Sequence, residues 1–271
     1  MTNDMIETRA RAVLDAISSA RAIATFSGDD PDFALDDAYQ VSDAVMAARV
    51  ARGERVVGWK IGFTNRNIWD EYDVHAPIWG PMYSGTVRPV AAGDEISLAG
   101  LVESRIEPEI AFRLKSAPEI GMDEAALLDC IDAVTHGFEI VQSIFPGWKF
   151  KAADTVAACA LHGMFLHGEL VSVEGDRAGW LERLAAFDME LVRDGVVVDR
   201  GTASDVLGGP LSALRSMVDG IAMRPMSRPL AVGDLITTGT VTRAFPIVPS
   251  ERWTSRIVGL PLAGMDVRFS A

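Results

Sequence analysis

The chain of 271 residues has little cysteine, a deficit of positive charge and no long apolar run. Its two cysteines, Cys130 and Cys159, form no Cys-x-x-Cys pair, so no disulfide framework is indicated and a reducing cytoplasm is the expected setting. Lys and Arg number 25 against 38 Asp and Glu, a formal charge of −13. With no basic stripe, that excludes a protein that works by neutralising nucleic-acid phosphates. It leaves room for an anionic small substrate, because local charge governs a closed pocket. No stretch approaches the ~18 apolar residues of a membrane span, and Met1 to Arg11 is too polar and acidic for a signal peptide. The histidines, His75, His136, His162 and His167, show neither His-x-x-x-His nor His-Glu-x-x-His spacing. Gly-x-Ser-x-Gly, the P-loop and Gly-x-Gly-x-x-Gly are also missing, so zinc, serine-hydrolase and nucleotide-binding chemistries have no motif behind them.

What is present is the mixture of a globular enzyme, 49% hydrophobic and 23% charged. Ile6, Ala10, Val13, Leu14, Ile17 and Ala20 recur at helical spacing, as do Leu35, Ala38, Tyr39, Val45, Met46 and Val50 after a break at Gly28–Asp32. Beyond Arg55 the texture changes to short β-rich runs between Gly, Pro and Asp turns: 55–61, 94–98, 106–114, 133–143, 163–173, 187–198, 234–241 and 252–258. Asp194-Gly195 signals a hairpin. Helical stretches are scattered at 123–130, 180–185 and 211–222. This is no βαβ alternation; it predicts an α+β fold with a curved mixed or antiparallel sheet, divided into a helical region over 1–54 and a catalytic domain over 55–271. Pro89–Ile96 and Pro229–Ile236 echo each other, both reading as a Gly-Asp turn that feeds a strand.

The segment Arg105-Ile106-Glu107-Pro108-Glu109-Ile110-Ala111-Phe112 carries the chemistry. On a strand, Glu107 and Glu109 share a face about 7 Å apart. Two such carboxylates repel, and a hard divalent ion such as Mg²⁺ or Mn²⁺ relieves the conflict. Glu139 is a lone acid in the apolar run Gly137–Val141, an unusual place for a charge without a partner. The competing reading pairs Glu139 with a lysine or arginine and leaves Glu107 and Glu109 on the wet face of an edge strand. Lys60, within Gly-Trp-Lys-Ile-Gly, is either a desolvated proton-transfer group or a snorkelling surface lysine. His162 and Glu103 are further acid–base candidates.

Together these segments resemble the fumarylacetoacetate hydrolase superfamily, in its 2-keto-4-pentenoate hydratase and 4-oxalocrotonate decarboxylase branch. The matching stretches are GWKIG (58–62), RIEPEIAF (105–112), FEIVQS (138–143), KAADTVA (151–157), VLGGP (206–210) and GDLITTGT (233–240). The resemblance implies a mixed β-roll core behind N-terminal helices, a homo-oligomer, and Glu107, Glu109 and Glu139 as ligands of Mg²⁺ or Mn²⁺. It implies Lys60 and Lys151 near the substrate, Asp154 in a Lys-x-x-Asp pattern with Lys151, and Thr240 in a turn closing on the substrate carboxylate. The implied activity is a lyase of aromatic-compound breakdown: hydration of a 2-oxo-alkenoate, with decarboxylation of an oxo-diacid, C–C hydrolysis of an acylpyruvate, or a non-catalytic partner subunit as alternatives.

Two departures stand out. Hydratases of this branch carry Pro-Asp-Phe/Tyr-Gly where this chain has Pro77-Ile78-Trp79-Gly80. They carry Ala-Asp-Asn where this chain has Ala157-Ala158-Cys159. Both changes replace polar groups at the substrate's far end, so Ile78 and Trp79, with Trp148, are expected to form an apolar wall. The expected preference is for a 2-oxo acid bulkier than the smallest dienol.

Overall fold

A computed structural model describes residues 1–66, 69–72 and 74–271. The helical periodicity of the first fifty residues yields α1 (Asn3–Ser18) and α3 (Leu35–Ala51), and the break between them holds the single turn α2 (Phe26–Asp29). The Thr2 hydroxyl caps α1 by accepting from the Met5 amide. These helices bury Val13, Phe26, Val41 and Val45 in one cluster with Ile78, Val141, Phe145 and Val156, so they share a core with the β segment behind them.

Among the described residues the strands form two sheets. The larger runs, in spatial order, β2 (Ile78–Tyr83), β1 (Val56–Gly62), β11 (Leu235–Thr240), β5 (Arg105–Leu114), β6 (Ile131–Val141), β7 (His162–His167) and β3 (Val87–Pro89), with β12 (Phe245–Pro246) on β5 and β8 (Val171–Ser172) on β6. The smaller runs β10 (Val196–Thr202), β9 (Asp188–Arg193), β13 (Arg252–Val258), β14 (Asp266–Ser270) and β4 (Asp94–Ser97). The large sheet mixes directions: β1 pairs parallel with β11 and β3 with β7, whereas β11–β5, β5–β6 and β6–β7 are antiparallel. It curls until β2 meets the turn ahead of β7, where a Cβ on Gly80 would stand 2.5 Å from the Cys159 carbonyl oxygen. That turn, Cys159-Ala160-Leu161, holds three successive non-glycine residues in the left-handed region, with φ of 54°, 53° and 62°.

Ile106, Phe138, Ile140 and Leu166 of the large sheet pack face to face on Ile96, Leu191, Trp253, Val267 and Phe269 of the small one. The helices α4 (Trp69–Tyr72), α5 (Glu124–Asp129), α6 (Ala152–Ala157), α7 (Arg177–Leu184) and α8 (Pro210–Met223) complete the fold. Among the described residues no helix is long and apolar enough to cross a membrane. The predicted α+β architecture stands, and Asp194-Gly195 turns the β9–β10 hairpin as expected. The run 163–173 divides into β7 and β8, and β2, β3, β12 and β14 are strands that alternation did not announce.

Candidate metal centre and substrate cavity

Period-two alternation sorts β5 and β6 cleanly. Ile106, Ile110 and Phe112 face the hydrophobic core, so Glu107 and Glu109 face the other way. On β6, Phe138 and Ile140 are core residues and Glu139 lies between them, opposite Glu107 in the β5–β6 register. The result is a cluster in which one carboxylate oxygen from each of Glu107, Glu109 and Glu139 lies within 4.8 Å of the others.

The surroundings are dry. Glu109 and Glu139 are fully buried and Glu107 is half-buried. Lys60 of β1, 3% exposed, places its Nζ 3.0 Å from Glu139 Oε1. Behind Glu139, His162 brings Nδ1 to 3.1 Å from the same oxygen and Nε2 to 2.8 Å from the Thr86 hydroxyl. The Gly239 amide donates to Glu109 Oε2 at 2.7 Å. Gly239 has φ 98°, and a Cβ there would meet the Thr64 hydroxyl at 1.7 Å, so no other residue fits at this contact. Glu109 Oε1 is buried with no hydrogen-bond partner.

Burial pushes the Glu107 carboxyl up to about 7, even with Lys60 opposing. Burial, then Glu139 and Glu107, push Glu109 well above the carboxylate range. Burial also acts on Glu139, but Lys60 and then His162 outweigh it and bring the carboxyl down to about 2. Burial would neutralise Lys60; the three glutamates, Glu139 first, keep it charged. Burial lowers His162, which is therefore a neutral imidazole at neutral pH. Two acids are thus pushed above the carboxylate range by burial and by one another, and one lone oxygen has no donor. This donor set fits a hard divalent ion.

The cluster forms the floor of a cavity of about 280 Å³. Phe63, Tyr72, Ile78, Trp148, Phe150 and Leu161 supply its apolar wall, and Thr64, Thr240, Thr242, Arg105 and Arg243 its polar one. The aromatic rings form a chain, with centroids 5.5 Å apart for Phe63–Tyr72, 5.4 Å for Tyr72–Phe150 and 5.9 Å for Trp148–Phe150.

Of the residues singled out in the sequence, Glu107, Glu109, Lys60, Thr240, Ile78 and Trp148 line this cavity. Glu139 lies beneath it as part of the glutamate cluster. Glu139 joins the acid cluster and also pairs with a lysine, but β5 lies between β11 and β6, so Glu107 and Glu109 do not decorate the wet face of an edge strand. The others lie elsewhere. Trp79 follows Ile78 on a strand and so faces the opposite side, where it packs on Tyr39 with ring centroids 4.9 Å apart. Lys151 is exposed, and its backbone amide donates to Asp154 Oδ2 at 2.9 Å. The Asp154 carboxylate is fully buried and also accepts from the Ser27 amide, 2.9 Å, and hydroxyl, 2.5 Å, tying α2 to α6. Glu103 is exposed, and its carboxylate accepts from the Gly147 amide at 3.0 Å. Sequence reasoning passed over Arg105 and the Phe63–Tyr72–Phe150 chain. Arg105 precedes Glu107 by two residues, so the same alternation that grouped the acids would have placed it beside them.

A curled mixed sheet fronted by helices, with three inward glutamates and a buried lysine on adjoining strands, defines the class: a fumarylacetoacetate hydrolase-type fold with a divalent-cation site. The structure superposes on 4-oxalocrotonate decarboxylase from Pseudomonas putida G7, solved with magnesium and adipate, with a TM-score of 0.90 at 26% identity, covering 99% of this chain and 98% of that one. The chain is 31% identical to 2-hydroxyhexa-2,4-dienoate hydratase of Comamonas testosteroni, over 94% of each protein. It is also 31% identical to 2-keto-4-pentenoate hydratase 2 of Dechloromonas aromatica (strain RCB), over 96% of this chain and 97% of that protein. No family model matches. The chain belongs to the 2-keto-4-pentenoate hydratase and 4-oxalocrotonate decarboxylase family of enzymes.

Proposed function

We propose that the protein is a metal-dependent hydro-lyase that adds water to a 2-oxo-alkenoate, the dienol or enone acid produced when an aromatic ring is broken down. The observation that carries this reading is the Glu107–Glu109–Glu139 cluster with its unpartnered Glu109 oxygen, set beside a charged Lys60 at a cavity with one apolar and one polar wall. In the proposal these three glutamates would hold Mg²⁺ or Mn²⁺, which would supply Lewis-acid chemistry to the 2-oxo group of the acid. Lys60 Nζ, kept protonated by its acidic neighbours, is the proton donor and holder of developing negative charge at the C2 oxygen. His162, walled off behind Glu139 and neutral, orients that carboxylate through Nδ1 and its Nε2–Thr86 contact. Thr240 stands at the polar edge of the cavity, and Ile78 gives the wall an apolar surface where related hydratases carry an acid. Lys151 and Asp154 have no part in the reaction in this reading.

The near-complete superposition on a decarboxylase supports a second reading, loss of CO₂ from an oxo-diacid by way of the same electron sink. Homo-oligomer formation is proposed alongside. It is supported by an apolar surface groove lined by Val218, Ile221, Met226 and Leu230, near which Met223 and Val232 are exposed. A panel of dienols, oxo-diacids and acylpyruvates, assayed with Mg²⁺ and with chelator, tests the function. Chelator-sensitive hydration is expected; chelator-insensitive turnover, or no turnover of any dienol, would overturn it.

A further inference from the structure

Lys60, Arg105 and Arg243 are the cations among the described residues that line the cavity. Two are already matched. Lys60 pairs with Glu139 at 3.0 Å, and Arg243 brings Nε to 3.0 Å from Asp199 Oδ2 at the exposed rim. Among the described residues no carboxylate lies within ion-pair distance of Arg105, and its charge acts on Glu107 only from farther off. Its guanidinium lies 4.0 Å from the centre of the Trp148 ring, and its Nε is buried with no hydrogen-bond partner. Across β6 its register partner is the apolar Val141, where Glu107 has Glu139. Arg105 is thus a fixed guanidinium one alternation step, about 7 Å, along β5 from Glu107, and an arginine stacked on an aromatic ring keeps its fork free for a planar anion.

Charge matching then says how many anionic groups the cavity takes. Once a divalent cation is in place, it and Lys60 together balance the three glutamates. The loaded floor is neutral, and Arg105 is the remaining unmatched cation. One substrate carboxylate completes the match; a second would be stranded against Ile78, Phe63, Phe150 and Leu161, where burying a charge is costly. We propose that Arg105 binds the carboxylate of a 2-oxo acid with an apolar tail, making this site selective for monocarboxylates over oxo-diacids. The proposal rests on the metal-dependent reading above and decides between its two forms, favouring hydration.

Calorimetry with the intact protein and two unreactive probes of similar length, 2-oxopentanoate and 2-oxoadipate, tests it in the presence and absence of Mg²⁺. Metal-dependent binding of 2-oxopentanoate in preference to 2-oxoadipate is expected. Arg105→Gln should weaken 2-oxopentanoate by about 10- to 100-fold, the loss of a charge-assisted hydrogen-bond pair. Arg105→Lys, which keeps the charge and loses the fork, should fall between. Mn²⁺ affinity without an oxo acid should hold in Arg105→Lys and hold or tighten in Arg105→Gln, where a cation near Glu107 has gone, which also shows that the cluster has folded. Tighter binding of 2-oxoadipate by the unaltered protein would overturn the selectivity. Undiminished 2-oxopentanoate binding by Arg105→Gln would remove Arg105 from recognition while leaving the metal-dependent reading intact. If the unaltered protein binds neither acid with Mg²⁺, the functional reading itself falls.

Discussion

Lys60 and Glu139 each exist as ions because the other is there. In Lys60→Ala the buried Glu139 loses its counter-charge, and the cluster becomes more anionic. Turnover should fall by about 10²–10⁴-fold, the usual contribution of a general acid–base group. Divalent-ion affinity, measured by calorimetry, should hold or tighten, since a competing ammonium has gone; a parallel loss of both would make Lys60 a purely structural residue. The raised carboxyls of Glu107 and Glu109 carry a pH consequence. A carboxyl raised on folding binds its proton more tightly in the folded state, so its stabilisation is full below the unfolded value near 4.5 and is lost as pH rises through about 7 for Glu107. The metal-free protein should therefore melt at a lower temperature at pH 8 than at pH 6. Mg²⁺ should raise the melting temperature more at pH 8, where it displaces fewer protons. An equal Mg²⁺ effect at both values, by scanning calorimetry, would contradict this charge state. The three glutamates were legible because a carboxylate in an apolar strand has few physical excuses. Trp79 was not, since one residue of strand register decides whether a ring faces a cavity or the core.

Asp154 shows how an element can absorb a residue that its motif suggests for chemistry. Its carboxylate caps the first turn of α6 and grips Ser27 of α2, so that both oxygens accept structural hydrogen bonds. Asp154→Asn should cost about 1–3 kcal/mol of stability, as a buried acceptor loses its charge-assisted donors. Mn²⁺ affinity should not change. A melting curve beside a calorimetric titration checks both, and a loss of metal binding without destabilisation would return Asp154 to the site. Helical boundaries in the first fifty residues were readable because two runs with apolar residues at helical spacing flank a Gly-Asp-Asp-Pro-Asp break. The echo at 89–96 and 229–236 also has a structural basis. In both, an Asp side chain accepts from the amide three residues earlier, at 2.9 Å, and a glycine at φ 86° precedes the strand. The left-handed turn at 159–161 was hidden, because Cys-Ala-Leu carries none of the Gly or Asn that such backbone favours.

At the scale of the molecule, the apolar groove beside α8 is the ground for association. Light scattering at micromolar concentration should report a species of at least twice the 29.2 kDa chain; a monomer would refute it. The α+β class followed from strand-rich texture without βαβ rhythm, but the order of strands in space did not, since pairing between distant segments leaves no local mark. That order has a kinetic consequence. In the large sheet β11 sits between β1 and β5, so Lys60 and the glutamates are brought side by side by a strand synthesised long after both. Such non-local closure is slow. A nascent chain that has made β1, β5 and β6 still carries their unpaired edges, and burying the acids must await the insertion of β11. Pulse-labelling hydrogen exchange would then show β5–β6 and β1–β2 amides protected first and the amides of β11, with those of β1 and β5 that bond to it, last and in one final step.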